Sequence, residues 1–376
     1  MADRLLMKGN EAIAEAAVRA GCRFYAGYPI TPQNEIPEYM SSRLFEFGGH
    51  FIQAESEVAA INMVYGAGGA GMRAMTSSSG PGISLKQEGI SYLVGSEVPA
   101  VVVNIMRAGP GLGGIQPAQS DYYQAVKGGG HGDYHLLVLA PESVQELVDL
   151  TALAFDRADH YRAPVLILGD AIIGQIMEPV TLPDFVDLAE LPAKEWATTG
   201  KRGRRDKRII NSLYLQPDQL ERHNQQLQDK YRQMARTEQR SAGYLLEDAE
   251  LVLVAYGSTA RICRRAVDLA RAEGIAAGLL RPITLWPFPT DALAKAAAGA
   301  EALLVVEMSA GQMVDDVRLA IDCRLPVHFY GRMGGVVPSP AEVFEEIRHR
   351  AGDRSAGRSV GSAAGSTASS GGDGRE

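Results

Sequence analysis

The sequence has 376 residues and a formal net charge of −8, with 46% hydrophobic and 22% charged residues. This composition is typical of a globular chain with enough apolar material for two domains. The acidic balance argues against nucleic-acid binding, and the longest apolar stretch, residues 98–106, is far too short to span a membrane. We therefore expect neither nucleic-acid nor membrane partners.

The N-terminus and the cysteines bear on the compartment. Residues 1–4 (MADR) do not begin a charged-then-apolar leader, and Cys22, Cys263 and Cys323 form no CxxC pair. We therefore expect a cytoplasmic chain in a reducing environment, which holds no zinc ribbon or iron–sulfur cluster by itself.

Residues 1–185 alternate between helical and strand patterns. Helices are predicted at residues 10–20, 31–41, 58–65, 83–93 and 144–158, and strands at residues 23–27, 73–76, 99–106, 136–139 and 164–168. Short apolar strands that alternate with amphipathic helices indicate an α/β domain with an open, mostly parallel sheet and helices on both faces.

The composition changes after residue 185. Residues 186–245 are polar and predict a connector or an arm on a partner, with a helical stretch near residues 217–240. The basic run at residues 201–208 (KRGRRDKR) is typical of a solvated linker face, although a phosphate-bearing ligand or an acidic partner would also suit it.

A second α/β unit is predicted at residues 246–350. Its strands are expected at residues 250–256, 276–280, 302–307 and 327–330, with a helix at residues 260–273. Residues 351–376 are rich in Gly and Ser, so we expect a disordered tail that buries no core.

Two glycine-containing segments are candidate ligand loops. Residues 66–71 (GAGGAG) match GxGxxG, but they follow a helix and lead into a strand, which indicates a packed helix end rather than a dinucleotide site. Residues 76–82 (TSSSGPG) lie between a strand and a helix. That position suits either an anion or ordinary capping, and it has no Walker lysine.

Several polar and charged residues near strand and helix ends are candidates for catalysis or ligand binding. Glu55 and Glu57 open a helix, where they either stabilise its N-terminus or provide a buried carboxylate for proton transfer. Arg107 ends an apolar strand before a glycine loop and suits capture of a carboxylate. Thr31, in the GYPITP segment with Tyr28, follows another strand and is expected at the same rim. His131 lies on a glycine loop with Asp133 and is predicted as a loop contact rather than a metal ligand.

Several long motifs together resemble a known family. GYPITP, ESEVAAINMVYGAGGAG, TSSSGPGISLKQEGISY and MRAGPGLGGIQPAQSDYYQAVKGGGHGD, in that order, resemble the alpha subunit of 2-oxoacid:ferredoxin oxidoreductases. LRPITLWPFP is similar to the part of that family that is like the transketolase C-terminal domain. Within the family the likeness is greatest to the subunit of the branched-chain (3-methyl-2-oxobutanoate) enzyme, which is sometimes described as a 2-oxoglutarate enzyme.

The resemblance implies a fold, a reaction and partners. It implies a pyrimidine-type thiamine-diphosphate-binding domain, then a transketolase C-terminal-like domain, in one subunit of a hetero-oligomer. The family oxidatively decarboxylates a 2-oxoacid to its acyl-CoA, with coenzyme A as co-substrate and ferredoxin as electron acceptor. The GDG…NN magnesium motif is missing, because Gly169-Asp170 is followed by Ala171. The resemblance therefore implies a diphosphate-binding beta subunit, with magnesium and [4Fe–4S] clusters on partners that include gamma and ferredoxin-like delta subunits.

Position by position, the resemblance also assigns roles. Glu57 matches the glutamate that bonds the cofactor's pyrimidine ring and activates it, while Thr31 and Arg107 match positions that receive the substrate carboxylate. Further expected contacts are the cofactor-binding residues Ser79, Gly80 and Pro81 and the rim residues Tyr28 and His131. Two alternatives stay open: 2-oxoglutarate or pyruvate as substrate, and a non-catalytic transketolase-like scaffold.

Overall fold

A computed structural model describes residues 4–201, 203 and 206–363. The part up to Val180 contains β1 Leu5–Lys8, α1 Gly9–Arg19, β2 Phe24–Gly27, α2 Glu35–Glu46, β3 His50–Gln53, α3 Glu57–Gly69, β4 Ala74–Ser78, α4 Pro81–Gly95, β5 Ala100–Met106, α5 Tyr122–Val126, β6 Leu137–Leu139, α6 Val144–Tyr161, β7 Pro164–Asp170, α7 Ala171–Gln175 and β8 Met177–Val180. The remainder contains α8 Pro217–Thr237, β9 Ser241–Tyr244, β10 Leu251–Val254, α9 Gly257–Ala272, β11 Ala277–Pro282, β12 Thr284–Trp286, α10 Thr290–Ala297, β13 Ala302–Glu307, α11 Met313–Ala320, β14 Val327–Gly331 and α12 Pro340–Ala363.

The first large sheet has seven strands in the order β12-β6-β7-β5-β4-β2-β3. Six of these strands run parallel, and β12 pairs antiparallel with β6 at one edge. This arrangement confirms the predicted α/β class with a mostly parallel sheet.

The second sheet has five strands in the order β14-β13-β10-β11-β9. Its strands are parallel except for β9, which pairs antiparallel with β11. A separate two-stranded sheet pairs β1 with β8.

One strand from the second half of the chain joins the first sheet, and the second sheet includes a strand from the predicted connector. β9 lies within the polar stretch expected as a connector, yet it forms an edge of the second sheet. β12 comes from the second half but closes the edge of the first sheet. The boundary predicted near residue 245 therefore marks a change in amino-acid composition. It does not divide the backbone into two separate units, because strand pairing links them.

Strand β5 shows why the first sheet is buried on both faces. Its residues are all buried, as expected for the run AVVVNIM. Successive side chains alternate between two cores: Val101 and Val103 pack with residues of α1, α2 and α6, whereas Val102 packs with residues of α3 and α4. The helices therefore cover both faces of the sheet.

Several element boundaries differ from the sequence predictions. α2 begins at Glu35 rather than at residue 31, because residues 30–33 form a turn in which the Gln33 N–H donates to the Ile30 carbonyl at 3.1 Å. α3 continues to Gly69 instead of ending at residue 65, so the GAGGAG segment closes a helix. Short elements such as β1, β3, α5 and α7 were not predicted, because they are too short to establish a hydrophobic period.

The C-terminal helix extends past the predicted start of the tail. α12 continues to Ala363, beyond the boundary at residue 350, because a helix that is already nucleated adds one backbone hydrogen bond for each further residue. The rest of the predicted tail, residues 364–376, lies outside the described residues. In the part of the chain that the structure describes, no helix combines the length and the apolar character needed to cross a bilayer.

Candidate functional site

The candidate residues lie where three neighbouring strands end. β2 pairs with β3 on one side and with β4 on the other, so the chain reverses its direction of winding at β2. In open parallel sheets, ligands bind beside the carboxyl ends of the strands at such a switch point. The GYPITP segment follows β2, Ser79 follows β4, and Arg107 follows β5.

Glu57 is held at the first turn of α3. Ser56 caps the helix, and its Oγ accepts a hydrogen bond from the Ala59 N–H at 3.2 Å. The Glu57 side chain is only 7% exposed, yet among the described residues no hydrogen bond reaches its carboxylate. Gly82, in the first turn of α4, lies directly against it: a Cβ at Gly82 would be 2.7 Å from Glu57 Oε1.

A buried lysine accompanies Glu57. Lys86 is fully buried on α4, and its Nζ donates to Thr76 Oγ1 at 2.8 Å. Burial lowers the pKa of Lys86 to about 8, and the negative charge of Glu57 opposes this fall. Lys86 has no distinguishing sequence signal, because a lysine in an amphipathic helix is normally exposed.

The serine–glycine loop is tightly packed. Ser79 is fully buried and its Oγ has no hydrogen-bond partner among the described atoms. Gly80 has a φ of 46°, and Pro81 begins α4. The N–H groups of residues 82–84 donate to the Ser79 and Gly80 carbonyls, so the first turn of α4 is already satisfied by the backbone.

Two more buried polar atoms near this loop have no partner in the described part of the chain. These two atoms are Gln33 Nε2 and Ser78 Oγ. The Oε1 atom of Gln33 does have a partner, because it accepts from Ser77 Oγ, which lies 2.6 Å from Tyr25 Oη. Gln33 has no distinguishing sequence signal, because its burial depends on the turn before α2. Unpaired buried groups are costly, so they indicate a site for a polar ligand.

Arg107 is fixed beside Thr31. Its Nη1 donates to the Thr31 carbonyl at 3.0 Å and its Nη2 to the Leu112 carbonyl at 3.1 Å, while its Nε is buried without a partner. Gly80 packs against the arginine, since a Cβ there would be 3.6 Å from Nε. The structure thus places Arg107 in contact with the Thr31 carbonyl, at the rim where both were expected, and also packs it against Gly80.

A cleft of about 630 Å³ opens beside Arg107. Gly80 and Pro81 line it on the first half of the chain, and Met308, Gln312 and Met333 line it on the second half. All site residues predicted from the sequence lie in the first half, because nothing in the second half has a recognisable ligand pattern. Thr31 lines a different cleft, of about 580 Å³, with Ile115 and Ile172.

Gln119 ties the loop that follows Arg107 to the second half. Its Nε2 donates to the Tyr256 carbonyl at 2.8 Å, and its Oε1 accepts from Thr259 Oγ1 at 2.7 Å and from the Met308 N–H at 3.0 Å. Gln119 is fully buried. Gln119 was not predicted as a functional residue, because its role depends on contacts that are distant along the chain.

The two expected rim residues lie in different places. Tyr28 is exposed in the segment between β2 and Thr31. His131 is also exposed, but its carbonyl accepts from Ser91 Oγ at 3.0 Å, near the far end of α4. Since Ser91 follows Pro81 by ten residues, this point is about 15 Å along the helix. The structure therefore does not bring His131 to the Arg107 cleft.

The charged residue of the Gly169-Asp170 pair has a structural role. The Asp170 carboxylate accepts from the Ile172 N–H at 2.9 Å and from Ser258 Oγ at 2.8 Å. Burial raises the pKa of Asp170, and these bonds act in the opposite direction. Within the described residues, no group of three His, Cys, Asp or Glu side chains is arranged to hold a metal ion.

Two family profiles match the chain. The family described as "Pyruvate flavodoxin/ferredoxin oxidoreductase, thiamine diP-bdg" matches residues 15–242. The family described as "Pyruvate:ferredoxin oxidoreductase core domain II" matches residues 249–343.

Individual proteins are also similar. The ketoisovalerate oxidoreductase subunit VorB of Methanothermobacter thermautotrophicus is 53% identical, over 93% of this chain and 99% of that protein. Among solved structures, the 2-oxoglutarate:ferredoxin oxidoreductase from Magnetococcus marinus, with 2-oxoglutarate, coenzyme A and succinyl-CoA bound, has a TM-score of 0.84 at 26% identity. The similarity covers 93% of this chain but 65% of that one, slightly under two thirds. A split-gene transketolase shares the fold, with a TM-score of 0.56 at 14% identity.

Proposed function

This chain belongs to the 2-oxoacid:ferredoxin oxidoreductase family as an alpha-type subunit of the branched-chain type, and from this we propose its reaction. The assembled enzyme oxidatively decarboxylates 3-methyl-2-oxobutanoate (ketoisovalerate) to its acyl-CoA, with coenzyme A as co-substrate, and passes the electrons to ferredoxin. The 53% identity to a ketoisovalerate oxidoreductase subunit over almost the whole chain supports this substrate.

The observation that carries the proposal is the carboxylate of Glu57. The Glu57 residue is only 7% exposed, and its carboxylate accepts no hydrogen bond from the described residues. The unpaired Ser78 Oγ, Ser79 Oγ and Gln33 Nε2 belong to the same strand-end region. A flat heterocycle with a ring nitrogen and an amino group would satisfy such atoms. These residues therefore fit the pyrimidine ring of thiamine diphosphate, with Gly80 and Pro81 packed beside it.

Bound thiamine diphosphate would supply the nucleophile for the 2-oxo carbon and the electron sink for decarboxylation. In this proposal Glu57 holds the proton that it shares with the pyrimidine ring nitrogen. Arg107 offers its free Nε–H to the substrate carboxylate, and Thr31 is positioned beside it by the bond from Nη1 to its carbonyl. Tyr28 contributes to the rim of the site. His131 lies away from the Arg107 cleft and does not contact the 2-oxoacid there.

The site on this chain is one half of a shared site. Exposed apolar side chains surround it: Val58 follows Glu57, Leu85 lies one turn after Gly82, and Leu112 lies on the loop bonded to Arg107. They are 40%, 52% and 82% exposed, respectively, which suits coverage by another subunit. We assign the diphosphate and magnesium ligands to a beta subunit, and the [4Fe–4S] clusters to partners that include gamma and ferredoxin-like delta subunits. The free thiols of Cys22 and Cys263 fit the reducing cytoplasm that we propose for the complex.

The charges of the Arg107 cleft favour a 2-oxoacid with one carboxylate. Among the described residues that line this cleft, Arg107 is the cation and Asp121 is the anion. The second carboxylate of 2-oxoglutarate would therefore need a cation from a partner subunit. An apolar side chain, as in 3-methyl-2-oxobutanoate or pyruvate, needs none.

The test is Glu57→Gln in the assembled complex. We expect turnover of 3-methyl-2-oxobutanoate with a viologen dye to fall by orders of magnitude, because the amide cannot exchange a proton with the ring nitrogen. Glu55→Gln is the matched control, since Glu55 is exposed two residues away and its change should leave turnover intact. Unchanged turnover in Glu57→Gln would favour a non-catalytic scaffold, and a comparison with 2-oxoglutarate and pyruvate tests the substrate.

A further inference from the structure

We propose that Asn10 is a positioning residue for the 2-oxoacid, because its side chain holds the turn at residues 30–33 against which Arg107 is fixed. The inference rests on the proposed function for its consequence in catalysis. The support of the turn, however, is a property of this chain alone and can be tested without substrate or cofactor.

Asn10 is a buried donor at the beginning of α1. The residue is fully buried, and its Nδ2 donates to the Pro32 carbonyl and to Glu35 Oε2, both at 2.8 Å. A side-chain amide nitrogen has two hydrogens, so these two bonds use its complete donor capacity. Asn10 therefore connects α1 to a turn that lies 22 positions later in the chain.

Glu35 fixes the orientation of the Asn10 amide. Burial raises the pKa of Glu35, but the hydrogen bonds that it accepts, first among them the one from Asn10, hold this pKa below its usual range. An ionised carboxylate only accepts hydrogen bonds, so the amide must present its nitrogen and not its oxygen. Asn10 Oδ1 lies beside Gly174, where a Cβ would be 2.6 Å away. The amide is thus a donor held in one orientation.

Gln175 provides a second support for the same turn. It is the exposed last residue of α7, and its Nε2 donates to the Pro32 carbonyl at 2.9 Å and to Glu35 Oε2 at 3.0 Å. A carbonyl oxygen has two lone pairs, so it can accept from both amides at once. The position of Pro32 is therefore set by side chains of α1 and α7.

The Pro32 carbonyl is coupled to Arg107 through Thr31. Thr31 precedes Pro32 directly, and its carbonyl accepts from Arg107 Nη1 at 3.0 Å. Between the two carbonyls the peptide bond is planar and the proline ring fixes φ, so one soft dihedral remains. A displacement of the Pro32 carbonyl therefore moves the group that holds the guanidinium. The buried, unpaired Nε–H of Arg107 would then no longer be aimed at the substrate carboxylate.

The first test is a double-mutant cycle in the assembled complex. Asn10→Leu has a similar size and no donor, and we expect it to raise the KM for 3-methyl-2-oxobutanoate about ten-fold, with a smaller change in kcat. If Asn10 acts through Arg107, adding Asn10→Leu to Arg107→Lys should raise KM little further. An unchanged KM in the single variant, or a full ten-fold effect in both backgrounds, would overturn the positioning role. Asn211→Leu, at an exposed site where the amide bonds the Leu213 carbonyl, is the control and should leave KM unchanged.

Gln175→Leu keeps this test decisive if Asn10→Leu does not assemble. Its side chain is exposed, so the substitution should be tolerated, yet it removes one of the two donors to Pro32. We expect KM to rise about three-fold, again with little further effect when Arg107→Lys is present. A KM equal to that of the unsubstituted complex would then overturn the proposal.

The second test measures urea unfolding of the full chain with Asn10→Leu, Gln175→Leu and both together. Each single variant leaves the Pro32 carbonyl one donor, whereas the double variant removes both. The fall in the free energy of unfolding should therefore be larger in the double variant than the sum of the two single falls. A fall equal to that sum would overturn the shared support of Pro32. If the unsubstituted complex does not turn over 3-methyl-2-oxobutanoate, the proposed function is rejected, and the unfolding cycle still decides whether the two amides hold the turn.

Discussion

The Oε1 atom of Glu57 lies 2.7 Å from the position that a Cβ atom would occupy at Gly82. This close approach means that the first turn of α4 packs directly against the Glu57 carboxylate at the start of α3. A side chain at position 82 would also collide with Ser78 Oγ. The glycine is therefore required by the position of Glu57, although its backbone conformation is available to any residue.

Gly82→Ala tests the close packing of α4 against the Glu57 carboxylate. We expect the substitution to destabilise the chain by about 1–3 kcal/mol through overpacking and to displace the Glu57 carboxylate, so that affinity for thiamine diphosphate and kcat/KM both fall in the complex. Urea unfolding and coenzyme titration are the measurements. Gly66→Ala is the matched control, because Gly66 lies in α3 with open space around its Cβ position. It should stabilise by about 0.5–1 kcal/mol and leave coenzyme binding unchanged.

Arg107→Lys tests the carboxylate contact. Arg107 uses two nitrogens to bond the Thr31 and Leu112 carbonyls and still has Nε–H available. A lysine cannot keep this fork, so loss of a charge-assisted bond of about 1.5–3 kcal/mol should raise the apparent KM for the 2-oxoacid about ten- to a hundred-fold. Steady-state kinetics with varied 2-oxoacid measure this change.

The control for this substitution is Arg222→Lys. Arg222 lies on α8 with its side chain 65% exposed and forms a surface ion pair with Asp218. Exposed ion pairs of this kind contribute little to stability, so the KM for the 2-oxoacid should not change. If Arg107→Lys also left KM unaltered, Arg107 would be excluded from the carboxylate site.

Sequence patterns placed Arg107 at the end of a strand and Glu57 at the start of a helix, and the carboxyl ends of parallel strands and the helices after them converge at one edge of a sheet. The patterns left the role of Glu57 open, and its contact with the cofactor is implied by the family resemblance and stays a prediction. The parallel sheet itself followed from the alternation of short apolar runs such as β5 with amphipathic helices. Local sequence patterns were sufficient to predict the parallel sheet and the positions of these two residues at strand and helix ends.

Residues whose role depends on long-range packing were not found. Lys86 has the pattern of a surface residue, and its burial results from the packing of α4 against α3 and the sheet. Gln119 is bonded to residues that lie 137 to 189 positions later in the chain. His131 was expected at the rim of the site from the family resemblance, but the length of α4 separates it from Arg107.

Truncation tests the end of the folded unit. Val343 and Ile347 on α12 are fully buried against α9 and the second sheet, whereas the Gly/Ser-rich composition begins after residue 350. We expect a chain that ends at residue 350 to keep the urea midpoint of the full chain. A chain that ends at residue 339 loses both buried side chains and should be destabilised by several kcal/mol, at about 2–5 kcal/mol for each large apolar residue. A large loss in the first truncation would mean that residues 351–376 contribute to packing.

Gln119→Ala tests the link between the Arg107 loop and the second half of the chain. The substitution leaves the Tyr256 carbonyl, the Thr259 hydroxyl and the Met308 N–H without their bonds to the glutamine amide. The Tyr256 carbonyl still accepts from the Ala260 N–H at 3.3 Å, so the Thr259 hydroxyl and the Met308 N–H are the two groups left unsatisfied. Because each unsatisfied buried group costs about 1–3 kcal/mol, we expect a loss of about 2 kcal/mol or more in urea unfolding. In the complex, the loosened loop should raise KM for the 2-oxoacid more than it lowers kcat. Gln225→Ala, at an exposed position on α8, should change neither quantity. A stability loss with an unchanged KM would show that Gln119 supports the fold without positioning Arg107.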